Sequence, residues 1–222
     1  MENEIQKNKK GSMLRLFQAL VVLASIVLSI YFYMHFPAIV PTHWNIAGNA
    51  DGWSSREFGA FLFPAILVAI YFLFELLPKI DPRKERYVEF AKVYSIIKTA
   101  IMLVFFCIFA IAGFSSMGYD VAVGFWVPFI IGLLFIVIGN YFGKIRRNYF
   151  VGIKVPWTLA NEEVWNKTHR LGGKMFVLGG VIMLLTGFTP VVARLPLLIA
   201  VIAMISVVPI VYSYVIYKRL QK

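Results

Sequence analysis

The sequence contains little of what a soluble enzyme or a metalloprotein needs. Only 15% of its 222 residues are charged, whereas about 25% is usual in soluble domains. Cys107 is the single cysteine, which excludes an intrachain disulfide and a cysteine-rich zinc site. The three histidines are not joined by a dense group of carboxylates, so no metal site is expected. The phosphate-binding pattern G-x-x-x-x-G-K-[ST] is also absent, which argues against a nucleotide-driven exporter.

Long apolar runs are what the sequence has instead, since 60% of its residues are hydrophobic. Six runs approach about 20 residues, the length that crosses a bilayer, and lipid forces such runs to be helical because their backbone groups must pair internally. The first run is too long for a signal-peptide core and is expected to be retained. The sequence therefore predicts an all-α polytopic membrane helix bundle with six transmembrane helices. These are Leu14–Phe36, Phe58–Leu77, Tyr94–Phe114, Val123–Phe142, Lys174–Thr189 and Leu195–Tyr217.

The basic residues predict how the chain is oriented. Of the 22 lysines and arginines, 20 lie at the N-terminal end, in the second and fourth connections, and in the C-terminal tail. The positive-inside rule therefore places both termini in the cytoplasm of a multi-pass membrane protein. The net charge of +11 is thus explained by topology, and no direct nucleic-acid binding is expected. In the second connection, Asp81 is expected to cap a helix that starts at Pro82 and continues into the third span.

The first outer loop, residues 37–57, is predicted to be ordered. Prolines favour extended chain at its start, and glycine, asparagine and aspartate later favour a tight turn. One interpretation is a turn whose tryptophans join the aromatic belt of the membrane. The other is a small platform that binds a partner through polar groups and a tryptophan anchor. The candidate residues are Pro41, His43, Trp44, Asn45, Gly48 and Asp51.

The fourth connection, residues 144–173, is predicted to be an interfacial cytoplasmic loop followed by a helix. Asn161 is expected to cap a helix that starts at Glu162. Four of its residues recur at helical spacing and share one face: Trp165, Thr168, His169 and Gly172. This face either docks the helix onto the loop or, with Glu162 and His169 as an acid–base pair, forms part of an enzyme site.

Glycine and proline mark the approach to this helix. Gly139 and Gly143 form a G-x-x-x-G pattern at the end of the fourth span, with Asn140 between them, and this pattern permits close helix contact. Gly152 and Pro156 disfavour helix, so the segment between the span and the helix is expected to be irregular.

With these residues identified, the sequence resembles the SdpI family of bacterial integral membrane immunity proteins. The first outer loop is similar to a domain of unknown function that often precedes that family's signature, with Pro-x-His-Trp-Asn followed by Gly and Asp. The chain has Lys154-Val155 where the family usually has Arg-Thr, which keeps the positive charge. The residues of the fourth connection that carry the resemblance are Asn140, Asn148, Gly152, Pro156, Trp157, Thr158, Trp165, Thr168, His169, Arg170 and Gly172.

The resemblance implies a function without chemistry or cofactor, namely protection of a bacterium against a secreted membrane-active peptide toxin. It also implies that the protein could sense the toxin and hold a cytoplasmic transcriptional repressor at the membrane, so that lipids, toxin and repressor are its expected partners. It divides the chain into an N-terminal tail (1–13), a three-span region (14–114) and an SdpI-like three-span region (115–222). A membrane enzyme acting on lipid or peptide at the cytoplasmic interface is the alternative, and a toxin exporter is a third interpretation.

Overall fold

The computed structural model describes the backbone of residues 2–221 and the side chains of residues 12–221. The predicted tail therefore lies only partly within the described residues, and the side chains of Lys7, Lys9, Lys10 and Lys222 lie outside them. The described chain is mostly helical. Its elements, in order, are α1 (Glu2–His35), β1 (Ile39–Trp44), β2 (Ala50–Ser55), α2 (Arg56–Ile80), a 3₁₀ helix (Lys84–Arg86), α3 (Tyr87–Ser116), α4 (Val123–Phe142), α5 (Pro156–Ala160), α6 (Glu162–Thr186) and α7 (Val191–Arg219).

Five of the described helices are long and apolar enough to cross a membrane: α1 from Ser12, α2, α3 with the preceding 3₁₀ helix, α4 and α7. The predicted fourth span coincides with α4, and the second, third and sixth predicted spans lie inside α2, α3 and α7. The first predicted span ends one residue beyond α1. The predicted fifth span starts within α6, which is continuous from Glu162 to Thr186. The first half of α6 is rich in polar and charged residues. For this reason α6 is not among the helices whose apolar stretch is long enough to cross a membrane. The six-span count thus remains a prediction.

Two expectations about local structure need correction. The fold is not purely helical, because the ordered outer loop contains a two-stranded antiparallel sheet of β1 and β2. The helix expected at Pro82 begins later, as a 3₁₀ turn at Lys84 followed by α3 at Tyr87. Asp81 does bind a nearby backbone N–H, that of Arg83 at 2.7 Å, but its second carboxylate oxygen is used elsewhere.

The chain forms two compact units that alternate along the sequence. The first unit extends to Phe74 and includes Lys98–Val127. Its buried apolar cluster joins α1, β1, α2 and α3. The phenylalanines in it stack or meet edge to face, with ring centroids 5.1–5.2 Å apart for Phe32 with Phe36 and with Phe109, a favourable geometry for aromatic pairs. This core includes Val40 and so packs against strand β1 of the hairpin.

The second unit contains Glu75–Ile97 and the residues from Pro128 on. In it, α4 and α6 meet backbone to backbone along two pairs of glycines. A Cβ added to Gly139 would lie 2.6 Å from the Gly173 carbonyl oxygen, and one added to Gly132 would lie 2.7 Å from that of Gly180. The close approach expected from the G-x-x-x-G pattern is therefore present at Gly139, and it places the end of α4 against the middle of α6.

Candidate functional site

The predicted outer loop is held by a hairpin whose turn is built by Asn45. The Asn45 side-chain oxygen accepts the N–H groups of Ala47 and Asn49 at 3.0 and 3.1 Å. Gly48 has a φ of +87°, and an added Cβ would lie 2.8 Å from the backbone nitrogen of Gly124. Asn45 and Gly48 therefore shape the turn, and this explains their residue types without a ligand.

The exposed polar groups of the hairpin are His43 and Asp51. The Nδ1–H of His43 donates to the Asp51 carboxylate at 2.5 Å, and the two side chains are 72% and 42% exposed. Irregularities in strand pairing on both sides of His43 turn the strand locally. Trp53 on the opposite strand is 59% exposed. The hairpin thus presents a histidine–aspartate pair and a tryptophan to its surroundings.

Trp44 and Pro41 line an apolar cavity of about 90 Å³ in the first unit. Four phenylalanines form part of the remaining wall: Phe36, which follows α1, Phe58 and Phe63 of α2, and Phe109 of α3. Two hydroxyl groups of this region are already bonded: Ser116 Oγ donates to the Pro41 carbonyl at 3.0 Å, and Thr42 pairs with Ser54 at 3.0 Å. Four of the six predicted outer residues thus contribute either an exposed group or a cavity wall, and the other two shape the turn.

In the loop-helix segment (144–173), Asn148 organises the irregular chain before α5. It is fully buried. Its oxygen accepts the N–H groups of Phe150 and Val151 at 2.9 and 2.7 Å, and its nitrogen donates to the carbonyls of Arg146 and Val151. Four bonds from one amide replace the secondary structure that this segment lacks.

Asp81 ties the same segment to the second connection. Its Oδ2 accepts the N–H of Tyr149 at 2.9 Å and the hydroxyl of Tyr87 at 3.0 Å. The Tyr87 hydroxyl also lies 3.4 Å from the side-chain oxygen of Asn148. Sequence reasoning missed this role of Asp81, because the neighbouring Pro82 indicated only a helix cap. An isolated carboxylate just beyond an apolar span was the one available signal.

The signature residues Pro156, Trp157 and Thr158 lie in the short helix α5, which starts at Pro156. Thr158 is buried and closes its first turn, donating to the Ile153 carbonyl at 2.8 Å and accepting the N–H of Val155 at 3.0 Å. Trp157 Nε1 donates to Ser213 Oγ of α7 at 2.6 Å. The signature therefore bends the chain and fastens it to the last helix. Ser213 was not predicted, since a lone serine in an apolar helix carries no distinctive pattern.

Trp165 and His169 form the buried centre of the segment. Their rings stack with centroids 3.9 Å apart. Trp165 Nε1 donates to the Ile145 carbonyl at 2.8 Å. His169 Nε2 accepts the N–H of Ile153 at 3.0 Å, while Nδ1 donates to the Trp165 carbonyl at 2.8 Å. These bonds fix one neutral tautomer of the histidine.

Gly152 is required beside this histidine for two reasons. Its φ of +119° is a conformation that residues with a side chain rarely adopt. In addition, an added Cβ would lie 2.3 Å from His169 Nε2. Burial lowers the pKa of His169 to about 4, although its hydrogen bond to the Trp165 carbonyl acts in the opposite direction. The histidine is therefore neutral near pH 7.

The predicted helical face is present, and its members play unequal parts. Asn161 caps α6 as expected, accepting the N–H groups of Glu163 and Val164 at 2.8 and 3.1 Å. The four residues of the face are all buried. The buried hydroxyl of Thr168 has no hydrogen-bond partner in the described chain. At Gly172, an added Cβ would lie 2.9 Å from the Phe142 ring.

Arg170 and Asn140 lie at the edge of this arrangement. Both are exposed. Asn140 donates to the Ile136 carbonyl at 2.9 Å. This bond lies within α4 and connects it to no other element. Glu162, the expected partner of His169, instead accepts two bonds from Arg86 at 3.0 and 3.1 Å. The structure thus does not bring Glu162 and His169 together as an acid–base pair.

The geometry favours a structural role for the centre of the loop-helix segment. Both nitrogens of His169 are occupied by backbone groups and its side chain is fully buried. A general acid or base must reach the proton that it transfers, and this imidazole offers no nitrogen to a substrate. Among the described residues, no group of three or more metal-ligating side chains comes together.

Comparison with known proteins confirms the resemblance. Residues 144–213 match the SdpI/YfhL protein family, and residues 20–68 match the Domain of unknown function (DUF1648). The chain is 25% identical over 203 residues to the Immunity protein SdpI of Bacillus subtilis (strain 168), covering 90% of this chain and 94% of that protein. It is 32% identical over 127 residues to the ABC transporter G family member 21 of Dictyostelium discoideum, of which it spans only 9%. No solved structure matches the chain.

Proposed function

We propose that this chain of the SdpI family is a membrane immunity protein that protects a bacterium against a secreted, membrane-active peptide toxin. The similarity to an immunity protein over 90% of the chain is the observation that carries the proposal. Five helices suited to a bilayer support a membrane location. The buried, doubly bonded His169 weighs against the alternative of an enzyme at the cytoplasmic interface.

The proposed topology has six spans with both termini in the cytoplasm. The apolar second half of α6 supplies the sixth span, and the distribution of basic residues supports the orientation. The two family matches at 20–68 and 144–213 support the division into an N-terminal region (14–114) and an SdpI-like region (115–222). Cysteine-accessibility labelling tests the orientation, after replacement of Cys107 by serine. Membrane-impermeant reagent is expected to label a cysteine at position 51 but not one at position 167 in intact cells.

We infer that the hairpin contacts the toxin through its exposed groups. His43 and Asp51 supply charge and hydrogen bonds, while Trp44 and Trp53 supply aromatic surface of the kind that dominates binding sites. Asn45 and Gly48 act indirectly, by maintaining the turn. The loop-helix segment would hold the second unit in one conformation. Its exposed basic residues, Lys154 and Arg170 among them, would face a cytoplasmic repressor if the protein also senses the toxin.

Survival of a sensitive Gram-positive host tests the proposal. Cells that express the intact chain are expected to survive concentrations of a membrane-active peptide toxin that kill cells with an empty vector. Protection is expected to fall in the His43→Ala/Asp51→Ala variant and to persist in Lys167→Gln, which removes an exposed charge that pairs with Glu163. Each variant must reach the membrane in normal amount. Failure of the intact chain to protect against any toxin tested would contradict the immunity function.

A further inference from the structure

Two arginines of the second unit lie side by side and share one hydrogen-bond acceptor. Arg83 follows the end of α2 at Ile80, and Arg147 follows the end of α4 at Phe142. Arg83 Nη2 donates to the Leu159 carbonyl at 3.2 Å, and Arg147 Nη1 donates to the same oxygen at 3.3 Å. Because both bonds converge on one atom, the two cationic guanidinium groups are neighbours.

Two nearby arginines of these connections, Arg86 and Arg146, are paired with carboxylates. Arg86 makes a two-bond ion pair with Glu162 at 3.0 and 3.1 Å. Arg146 lies 3.2 Å from the carboxylate of Glu89. Within the part of the chain that the structure describes, neither of the two converging arginines has such a partner. Two of these four arginines are thus neutralised, and the other pair has no carboxylate partner among the described residues.

The converging pair also has unused hydrogen-bond donors. Arg83 Nη1 and Arg147 Nε are buried, and neither has an acceptor among the described residues. The ring of Tyr149, whose centroid is 4.7 Å from the guanidinium carbon of Arg83, stabilises the cation but accepts no conventional hydrogen bond. A buried donor without an acceptor lowers the stability of the fold. Two neighbouring arginines with unused donors therefore favour the binding of a further hydrogen-bond acceptor beside them.

We propose that Arg83 and Arg147 form a binding site for a phosphate-type oxyanion, supplied by a phospholipid headgroup or by free phosphate. The planar guanidinium group matches the oxygens of phosphate and bonds them in pairs. One such anion offsets the repulsion between the two cations, and a small shift of the two side chains brings their buried donors, Arg83 Nη1 and Arg147 Nε, onto its oxygens. Both side chains are partly exposed, so an anion reaches them from the surface. Their positions just beyond two apolar helices correspond to the headgroup level of a bilayer.

Thermal unfolding of the full chain in an uncharged maltoside detergent tests this site. The probes are inorganic phosphate, at ionic strength held constant with chloride, and dihexanoyl phosphatidic acid. Saturable stabilisation by both probes, or by the phosphatidic acid alone, supports the site, and the second result identifies the lipid headgroup as the source. In Arg83→Gln and Arg147→Gln the apparent affinity is expected to fall about tenfold or more, because charge-assisted bonds are lost.

Arg146→Gln is the matched control, since it removes the same charge from an arginine that already has a carboxylate partner. Its affinity for the probe is expected to equal that of the unaltered protein. Arg83→Lys and Arg147→Lys keep the charge and a donor for Leu159, so they report on the site if the glutamine variants fold poorly, and they are also expected to bind more weakly. Absence of saturable stabilisation by either probe, or equal affinity in the Arg83 and Arg147 variants, would overturn the proposal.

Discussion

Gly152→Ala offers a sharp test of how the loop-helix segment is held together. The change forces a side chain onto a residue with a φ of +119° and brings its Cβ to 2.3 Å from His169 Nε2. A strained backbone conformation costs on the order of 1–3 kcal/mol, and overpacking a closed site costs on the order of 1–3 kcal/mol more. If the imidazole moves, its bond from the Ile153 N–H is also lost. The expected loss of unfolding free energy is therefore about 3 kcal/mol or more.

Gly118→Ala is the matched control for this change. Gly118 also has a positive φ, +89°, but an added Cβ would have nothing within 4 Å. Its substitution therefore reports the backbone cost alone, about 1–2 kcal/mol. Denaturant unfolding in mixed micelles, followed by circular dichroism, measures both variants. Equal losses in the two variants would refute the reasoning, because contact with His169 would then contribute nothing to the requirement for glycine at position 152.

Three further changes test other parts of the structure. Lowering the pH from 6.5 to 4 is expected to lower the free energy of unfolding by about 3 kcal/mol. The histidine of the unfolded chain is protonated over this range, whereas buried His169, with its pKa of about 4, stays largely neutral in the folded protein. A His169→Gln variant that keeps the same pH dependence would contradict this. Gly139→Ala should destabilise the fold by about 1–3 kcal/mol, as other overpacked sites do, since its Cβ meets a backbone oxygen at 2.6 Å. Gly143→Ala should be nearly neutral, because the nearest atom to its Cβ belongs to the flexible Arg170 side chain at 3.3 Å and the backbone atoms of Arg170 lie at 3.6 Å or more. Equal melting temperatures of the two variants would argue against backbone contact of α4 with α6. Asn161→Ala should cost about 1 kcal/mol, and an unchanged denaturation midpoint would show that its two cap bonds contribute little.

The sequence predicted well the features that follow from local physical requirements, such as the pairing of backbone groups in lipid and the capping of helices. The run Val123–Phe142 is recovered as α4 with the same bounds, because apolar segments in lipid must satisfy their backbone groups as helix. The start of α6 followed equally from Asn161, since few residues other than asparagine, aspartate, serine and threonine cap a helix well. Such features depend on neighbours in the sequence, and these are visible without a structure.

Features that depend on distant backbone atoms were not predictable. The acceptor for Trp165 is the carbonyl of Ile145, and the donor to His169 is the N–H of Ile153. Every residue has these groups, so no residue type identifies the one that is used. The hairpin was missed for a related reason. Pro41 within β1 weakens its strand pattern, and the pairing becomes evident only from the cross-strand register with Trp53.

Protection against toxin is the most direct measure of the proposed immunity function. The toxin concentration that leaves half of the cells alive would be compared for cells with the intact chain, the His43→Ala/Asp51→Ala variant, and an empty vector, at equal membrane abundance. A clear rise is expected with the intact chain, and a value near that of the empty vector is expected for the variant. An intact chain that protects no better than the vector would contradict the immunity function, and full protection by the variant would contradict the role of the hairpin.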